Sequence, residues 1–91
     1  MAKRVDANQK KIVEQLRKLG CSVAMTSSLG KGVPDFIIGH RGRNFLIELK
    51  DGSKSPSQRK LTPDEVKFHA LWRGQIAVCN NINEIIKLIG L

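Results

Sequence analysis

Apolar and polar positions along the chain follow two periods, one helical and one extended. From Asp6 to Leu19, residues Ile12, Leu16 and Leu19 recur at helical spacing, with Val5 and Val13 at the edges of the stripe. Asp6 or Asn8 can cap the start of this helix and Gly20 its end. Cys21 to Thr26 (CSVAMT) predicts a first strand. Phe36-Ile37-Ile38 and Phe45-Leu46-Ile47-Glu48-Leu49 predict two more, joined by a tight turn at Arg41-Gly42. Both faces of this hairpin carry apolar residues: Phe36, Ile38, Phe45, Ile47 and Leu49 on one, Ile37 and Leu46 on the other. The hairpin is therefore expected at the centre of a sheet with helices on both sides.

Thr62-Pro63-Asp64-Glu65 opens a second helix, with threonine as cap, proline in the first turn and glutamate completing a capping box. Leu61, Val66, Phe68, Ala70 and Trp72 are expected to supply its apolar contacts, and Gly74 to end it. Gln75 to Cys79 predicts a fourth strand. Asn80 or Asn81 caps a last helix whose Ile82, Ile85, Ile86 and Ile89 form one broad apolar face. The expected architecture is α/β, in the order αβββαβα, with a mixed four-stranded sheet flanked by helices. Residues 1–91 are expected to form a single domain.

Three ionisable residues interrupt the apolar hairpin: Asp35, Glu48 and Lys50. With Arg41-Gly42 as a two-residue loop, His40 faces Arg43 and the ladder runs back until Asp35 faces Glu48. Opposed residues have Cβ atoms roughly 4.5–5.5 Å apart. Alternation puts Lys50 on the face of Glu48. Two carboxylates that close repel each other unless a proton or cation lies between them, and a hard divalent cation takes oxygen ligands of this kind. A bulge in either strand would separate them, so the expectation rests on the register.

Such a trio suits phosphodiester hydrolysis, which needs a cation on the phosphate, an activated water and stabilisation of the leaving oxygen. Asp35 and Glu48 would hold the cation, with the backbone carbonyl of Leu49 as a further ligand. Lys50 would orient the attacking water or stabilise the transition state. On the first helix, Gln9 falls roughly 60° from Ile12, near the buried stripe, whereas Glu14 falls on the far side at about 100° per residue. Geometry thus favours Gln9 over Glu14 as a helper, holding Lys50 or a water beside the cation.

The charge balance supplies a substrate class. The chain carries a formal net charge of +8, which suits a polyanionic partner. Lys31, on a glycine-bearing loop that runs into Pro34-Asp35, is a candidate contact to DNA phosphates. So are Arg41 and Arg43 at the hairpin turn, and Lys54, Arg59 and Lys60 on the polar segment Asp51 to Lys60. The loop lacks the spacing and Gly-Lys-Ser/Thr ending of a nucleotide-binding P-loop, and no small-molecule cofactor is expected. No apolar run approaches the ~20 residues of a membrane span. The polar residues after Met1 do not make a signal peptide, so a cytoplasmic location is expected. Cys21 and Cys79 lie far apart in predicted strands and read as buried free thiols. Without a Cys-x-x-Cys pair, and with His40 and His69 in unrelated contexts, no structural zinc site is expected.

Val33-Pro34-Asp35 with Ile47-Glu48-Leu49-Lys50 resembles the PD-(D/E)XK nuclease signature. Gly32 to Phe36, Ile47 to Gly52, the Ser55-Pro56-Ser57-Gln58 loop, Leu61-Thr62-Pro63 and Trp72-Arg73-Gly74 before a strand resemble the virus-type replication-repair nuclease (VRR-NUC) family. The likeness is to its stand-alone phage and bacterial members and, more distantly, to archaeal Holliday-junction resolvases. The resemblance implies a Mg²⁺- or Mn²⁺-dependent, structure-selective DNA endonuclease acting as a homodimer on branched DNA. It implies metal ligation by Asp35 and Glu48 and a catalytic role for Lys50. The family's first-helix position is usually glutamate; Gln9 is a neutral departure there, with Glu14 the charged rival. Two other readings fit the same residues: a nuclease for flaps or linear DNA, and a DNA-binding module that kept the fold without the chemistry.

Overall fold

A computed structural model describes residues 7–91. The elements follow the expected order: α1 (Ala7–Lys18), β1 (Ser22–Met25), β2 (Phe36–His40), β3 (Arg43–Leu49), α2 (Pro63–Leu71), β4 (Ile76–Cys79) and α3 (Ile82–Ile89). Short 3₁₀ turns occupy Ser27–Leu29 and Pro56–Arg59 within the connecting segments. The predicted cap at Asp6 lies outside the described residues. Asn8 sits inside α1 and is not its cap.

The sheet runs β1-β2-β3-β4, so the hairpin holds the two central places. β1, β2 and β3 pair antiparallel, and β4 pairs parallel to β3, reached through the crossover that contains α2. The hairpin register is the one the two-residue turn dictates: His40 pairs with Arg43 and Phe36 with Ile47. Arg41 and Gly42 both have positive φ, at 50° and 75°, the pattern of a type I′ turn whose twist suits a hairpin.

One face of the sheet carries the core. Phe36, Ile38, Phe45, Ile47 and Cys79 pack there against Ile12, Val13 and Leu16 of α1 and Ile85 and Ile89 of α3. The isoleucine face of α3 is thus spent on the sheet. Asn81 caps that helix, its side-chain oxygen accepting from the N–H of Glu84 at 2.9 Å. Cys21 and Cys79 are buried free thiols, and burial pushes the Cys79 thiol up to about 11.

The opposite face departs from the expectation of helices on both sides. Leu46 and Glu48 are buried there, but Ile37 and Ile76 are only half-buried, and Ala24 and Val78 are exposed. α2 covers only the end of this face that holds Glu48 and Lys50. Its apolar residues are correspondingly open: Val66, Leu71 and Trp72 are 53%, 67% and 46% exposed, and Glu65 is its buried residue. Among the described residues the expected burial of Val66, Ala70 and Trp72 is therefore not found, Trp72 stacking on Phe68 at the surface instead, and α2 ends at Leu71, before Gly74. Among the described residues no helix is long and apolar enough to cross a membrane.

Candidate active site

The hairpin carries its charges to the end away from its turn. Hydrogen-bonded pairs alternate down the ladder from His40 and Arg43, so a continuing strand would give the N–H of Leu49 to the carbonyl of Pro34. The chain bends instead. The N–H of Asp35 donates to the carbonyl of Ile47 at 3.0 Å. The carboxylate Oδ2 of Asp35 accepts from the N–H of Leu49 at 2.8 Å. The Pro34 carbonyl accepts from the Thr26 hydroxyl at 2.7 Å. Asp35 therefore sits one residue before β2, with its side chain clamped to the backbone between Glu48 and Lys50.

Asp35 and Glu48 are both buried, at 5% and 1% exposure, which few carboxylates are without a compensating partner. Lys50 stands beside them, its Nζ 3.8 Å from Glu48 Oε2. The same Nζ donates to Glu65 Oε1 at 3.0 Å. Glu65 also completes the predicted capping box: its Oε1 accepts from the Thr62 N–H at 2.9 Å and its own N–H donates to Thr62 Oγ1 at 3.2 Å. The box alone accounts for a glutamate at this position in the sequence, so its reach to Lys50 went unread. The signal available was a carboxylate fixed in the first turn of the helix that follows the Glu48/Lys50 strand. His69 lies one turn further along α2. Burial holds its pKa below the usual value, Glu65 opposing and Lys50 adding to the effect.

Gln9 is buried on α1 and Glu14 is exposed, in the sense the helical spacing predicts. The half of α1 that holds Gln9 flanks the segment leaving Lys50. There Asn8, Lys11 and Ile12 share a cleft of about 440 Å³ with Asp51, Gly52 and Ser53. Asp51 Oδ1 accepts from the N–H and hydroxyl of Ser53 at 2.9 and 2.6 Å, and these bonds hold its carboxyl below the ordinary range.

The basic residues divide into two groups. Lys31 is exposed beside α2, lining a cleft with Asp64, Lys67, Phe68 and Trp72. Lys54 and Lys60 are exposed and Arg59 is half-buried on the segment after Lys50. Arg41 and Arg43 lie at the far end of the hairpin, ~18 Å of strand from Asp35 at ~3.3 Å per residue. Arg43 is also engaged locally. Its guanidinium donates to the Ile89 carbonyl at 3.1 Å, at the end of α3, and lies over the Phe45 ring.

The donor set suits a hard cation. Two buried carboxylates at one strand end offer oxygen ligands, and the Leu49 carbonyl belongs to the residue whose N–H Asp35 holds. No group of three or more His, Cys, Asp or Glu side chains that could hold a metal occurs among the described residues, so a cation here would complete its shell with backbone and water oxygens, the habit of Mg²⁺.

A solved structure described as a VRR_NUC domain superposes with a TM-score of 0.64 at 27% identity, over 90% of this chain and 89% of that one. The chain is thus similar to a VRR_NUC domain along nearly its whole length. No family model matches the sequence, and no curated protein does. The likeness thus lies in the shared fold, extended over 89% of that VRR_NUC domain.

Proposed function

We propose that this chain is a nuclease of the VRR-NUC family and a Mg²⁺- or Mn²⁺-dependent, structure-selective DNA endonuclease of Holliday-junction-resolvase type. The observation that carries the reading is the pair of buried carboxylates, Asp35 and Glu48, at one end of the hairpin with Lys50 Nζ 3.8 Å from Glu48. Asp35, Glu48 and the Leu49 carbonyl hold the cation. When bound, it supplies charge neutralisation on the phosphate and acidifies a water. Lys50 donates a hydrogen bond to the oxygen that gains negative charge as the phosphorus passes through its five-coordinate state. Gln9 steadies the attacking water or Lys50 from α1. Lys31, Lys54, Arg59 and Lys60 contact phosphates near the cut, and Arg41 and Arg43 contact them further along the duplex.

A homodimer suits this substrate, because two opposed cuts in a four-way junction need two sites related by a two-fold axis. With Ile85 and Ile89 of α3 buried in the core, the exposed apolar face of α2 is the surface that fits the second copy. There Phe68 and Trp72 stack with centroids 5.3 Å apart, next to the exposed Leu71. The basic surface and the absence of a described membrane-spanning helix suit action on DNA in the cytoplasm of a bacterial or phage-infected cell.

The test is a panel of labelled four-way junctions, flaps and linear duplexes with Mg²⁺ or Mn²⁺. Wild type should cut junctions at symmetric positions on opposite strands, and Asp35→Ala and Lys50→Ala should not. Binding should weaken steeply with salt, by about 0.9 log units of affinity per log unit of salt for each phosphate neutralised. Preferred cutting of flaps or linear DNA would replace the substrate assignment. DNA binding without cleavage by wild type would leave a binding module.

A further inference from the structure

Lys50 must place one ammonium group from the end of a flexible four-carbon stem. Its two neighbouring anions are not equivalent. Glu48, at 3.8 Å, is a cation ligand in the reading above. Glu65, at 3.0 Å, makes the shorter, hydrogen-bonded contact. Glu65 is 4% exposed, and its Oε1 is fixed independently by the Thr62 N–H at 2.9 Å. The first turn of α2 is in turn set against the loop that leads to Asp35. A Cβ on Gly32 would lie 2.2 Å from the Asp64 carbonyl oxygen and 2.8 Å from the Glu65 nitrogen. Backbone there touches backbone, with no side chain between to yield.

We propose that Glu65 is a positioning residue for Lys50, holding the ammonium in place for the phosphate while Glu48 serves the cation. Resting on the nuclease reading, it adds a residue from α2 to the hairpin's three and to Gln9 of α1. Charge-assisted hydrogen bonds of this kind are shorter and about twice as strong as neutral ones. A lysine that Glu65 releases is left to Glu48, the residue from which it should be kept.

The helix cap and the lysine contact separate by mutation. Glutamine serves in a capping box as glutamate does, so Glu65→Gln keeps the cap and removes the charge. Thr62→Ala removes the hydroxyl of the cap, while the backbone N–H of residue 62 still reaches Glu65. For Glu65→Gln we expect kcat on a cleavable DNA to fall by roughly 10–100-fold, the usual loss for a partner that orients a functional group. KM should be unchanged and the melting temperature should stay within about 2 °C, because the cap is kept. For Thr62→Ala we expect the melting temperature to fall by about 4–8 °C with kcat within about threefold of wild type.

A second readout needs neither metal nor DNA. The ¹⁵N–¹H correlation of the Lys50 ammonium, assigned by its loss in Lys50→Arg, should be sharp in wild type and in Thr62→Ala. It should be broadened by water exchange in Glu65→Gln. The proposal is overturned if Glu65→Gln cleaves at the wild-type kcat, if its loss merely tracks a fall in melting temperature, or if its ammonium signal matches wild type. Should wild type cleave no DNA, the nuclease reading fails, and the ammonium signal still decides whether Glu65 holds Lys50.

Discussion

Replacing Gly32 with alanine tests how tightly α2 is seated on the loop before Asp35. Gly32 has φ +81°, and an added Cβ would lie 2.2 Å from the Asp64 carbonyl oxygen and 2.4 Å from its carbon. An ordinary contact begins near 3.4 Å, so loop and helix must part by about 1 Å. Two costs add. Holding an L-residue in the left-handed region costs roughly 1–2 kcal/mol, and overpacking a close contact costs about 1–3 kcal/mol. Gly42→Ala is the control, because Gly42 has φ +75° and nothing within 4 Å of the same added atom. Urea denaturation should therefore show a loss of ~1–2 kcal/mol for Gly42→Ala and ~2–5 kcal/mol for Gly32→Ala, with unchanged m. The lone tryptophan, Trp72, one residue beyond α2, reports the transition by fluorescence. Equal losses in the two variants would refute the reasoning, since the contact would then contribute nothing.

Three further outcomes follow from the geometry. Gln9→Ala should lower cleavage while Glu14→Ala leaves it within about twofold in the same assay, since only Gln9 is buried on the core side of α1; the reverse order would reassign the helper. Ile85→Ala, at a fully buried site in α3, should cost about 2–5 kcal/mol in urea denaturation. The Cys79 thiol is raised from 9.0 to about 11, so the folded protein should resist alkylation at pH 8. That contribution to stability is complete below pH 9 and declines as pH rises towards 11, the folded state there binding the proton the unfolded chain gives up. Cys79→Ala should remove that part of the decline.

The sheet was legible because its determinants are local. A two-residue turn fixes the hairpin register, and alternation then decides which side each of Asp35, Glu48 and Lys50 takes. The helix ends were equally local, with the Thr62 and Asn81 caps formed as their side chains predict. What escaped depends on docking between distant segments. Glu65 meets Lys50 across fifteen positions of sequence, and nothing in its own turn says so. The open face of α2 escaped for a related reason: apolar residues report a tendency to be covered, and do not say whether the cover comes from the same chain. Asp35 lay between these cases. The register beside it was readable as far as Phe36 and Ile47, but its step out of the ladder to take the Leu49 N–H follows from the bend at Pro34-Asp35.

The connectivity of the sheet orders its assembly in time. β1, β2 and β3 meet through short links and close few residues of chain, whereas β4 reaches β3 only after the crossover containing α2 has been folded back. Contacts of short sequence separation form sooner because less chain entropy is spent in closing them. The hairpin should thus bring Asp35 and Glu48 towards each other early, two like charges with no counterweight. The Lys50–Glu65 contact, made through α2, forms later. Repulsion between the carboxylates would then act as a brake on the folding nucleus, and divalent cation present during refolding should speed it.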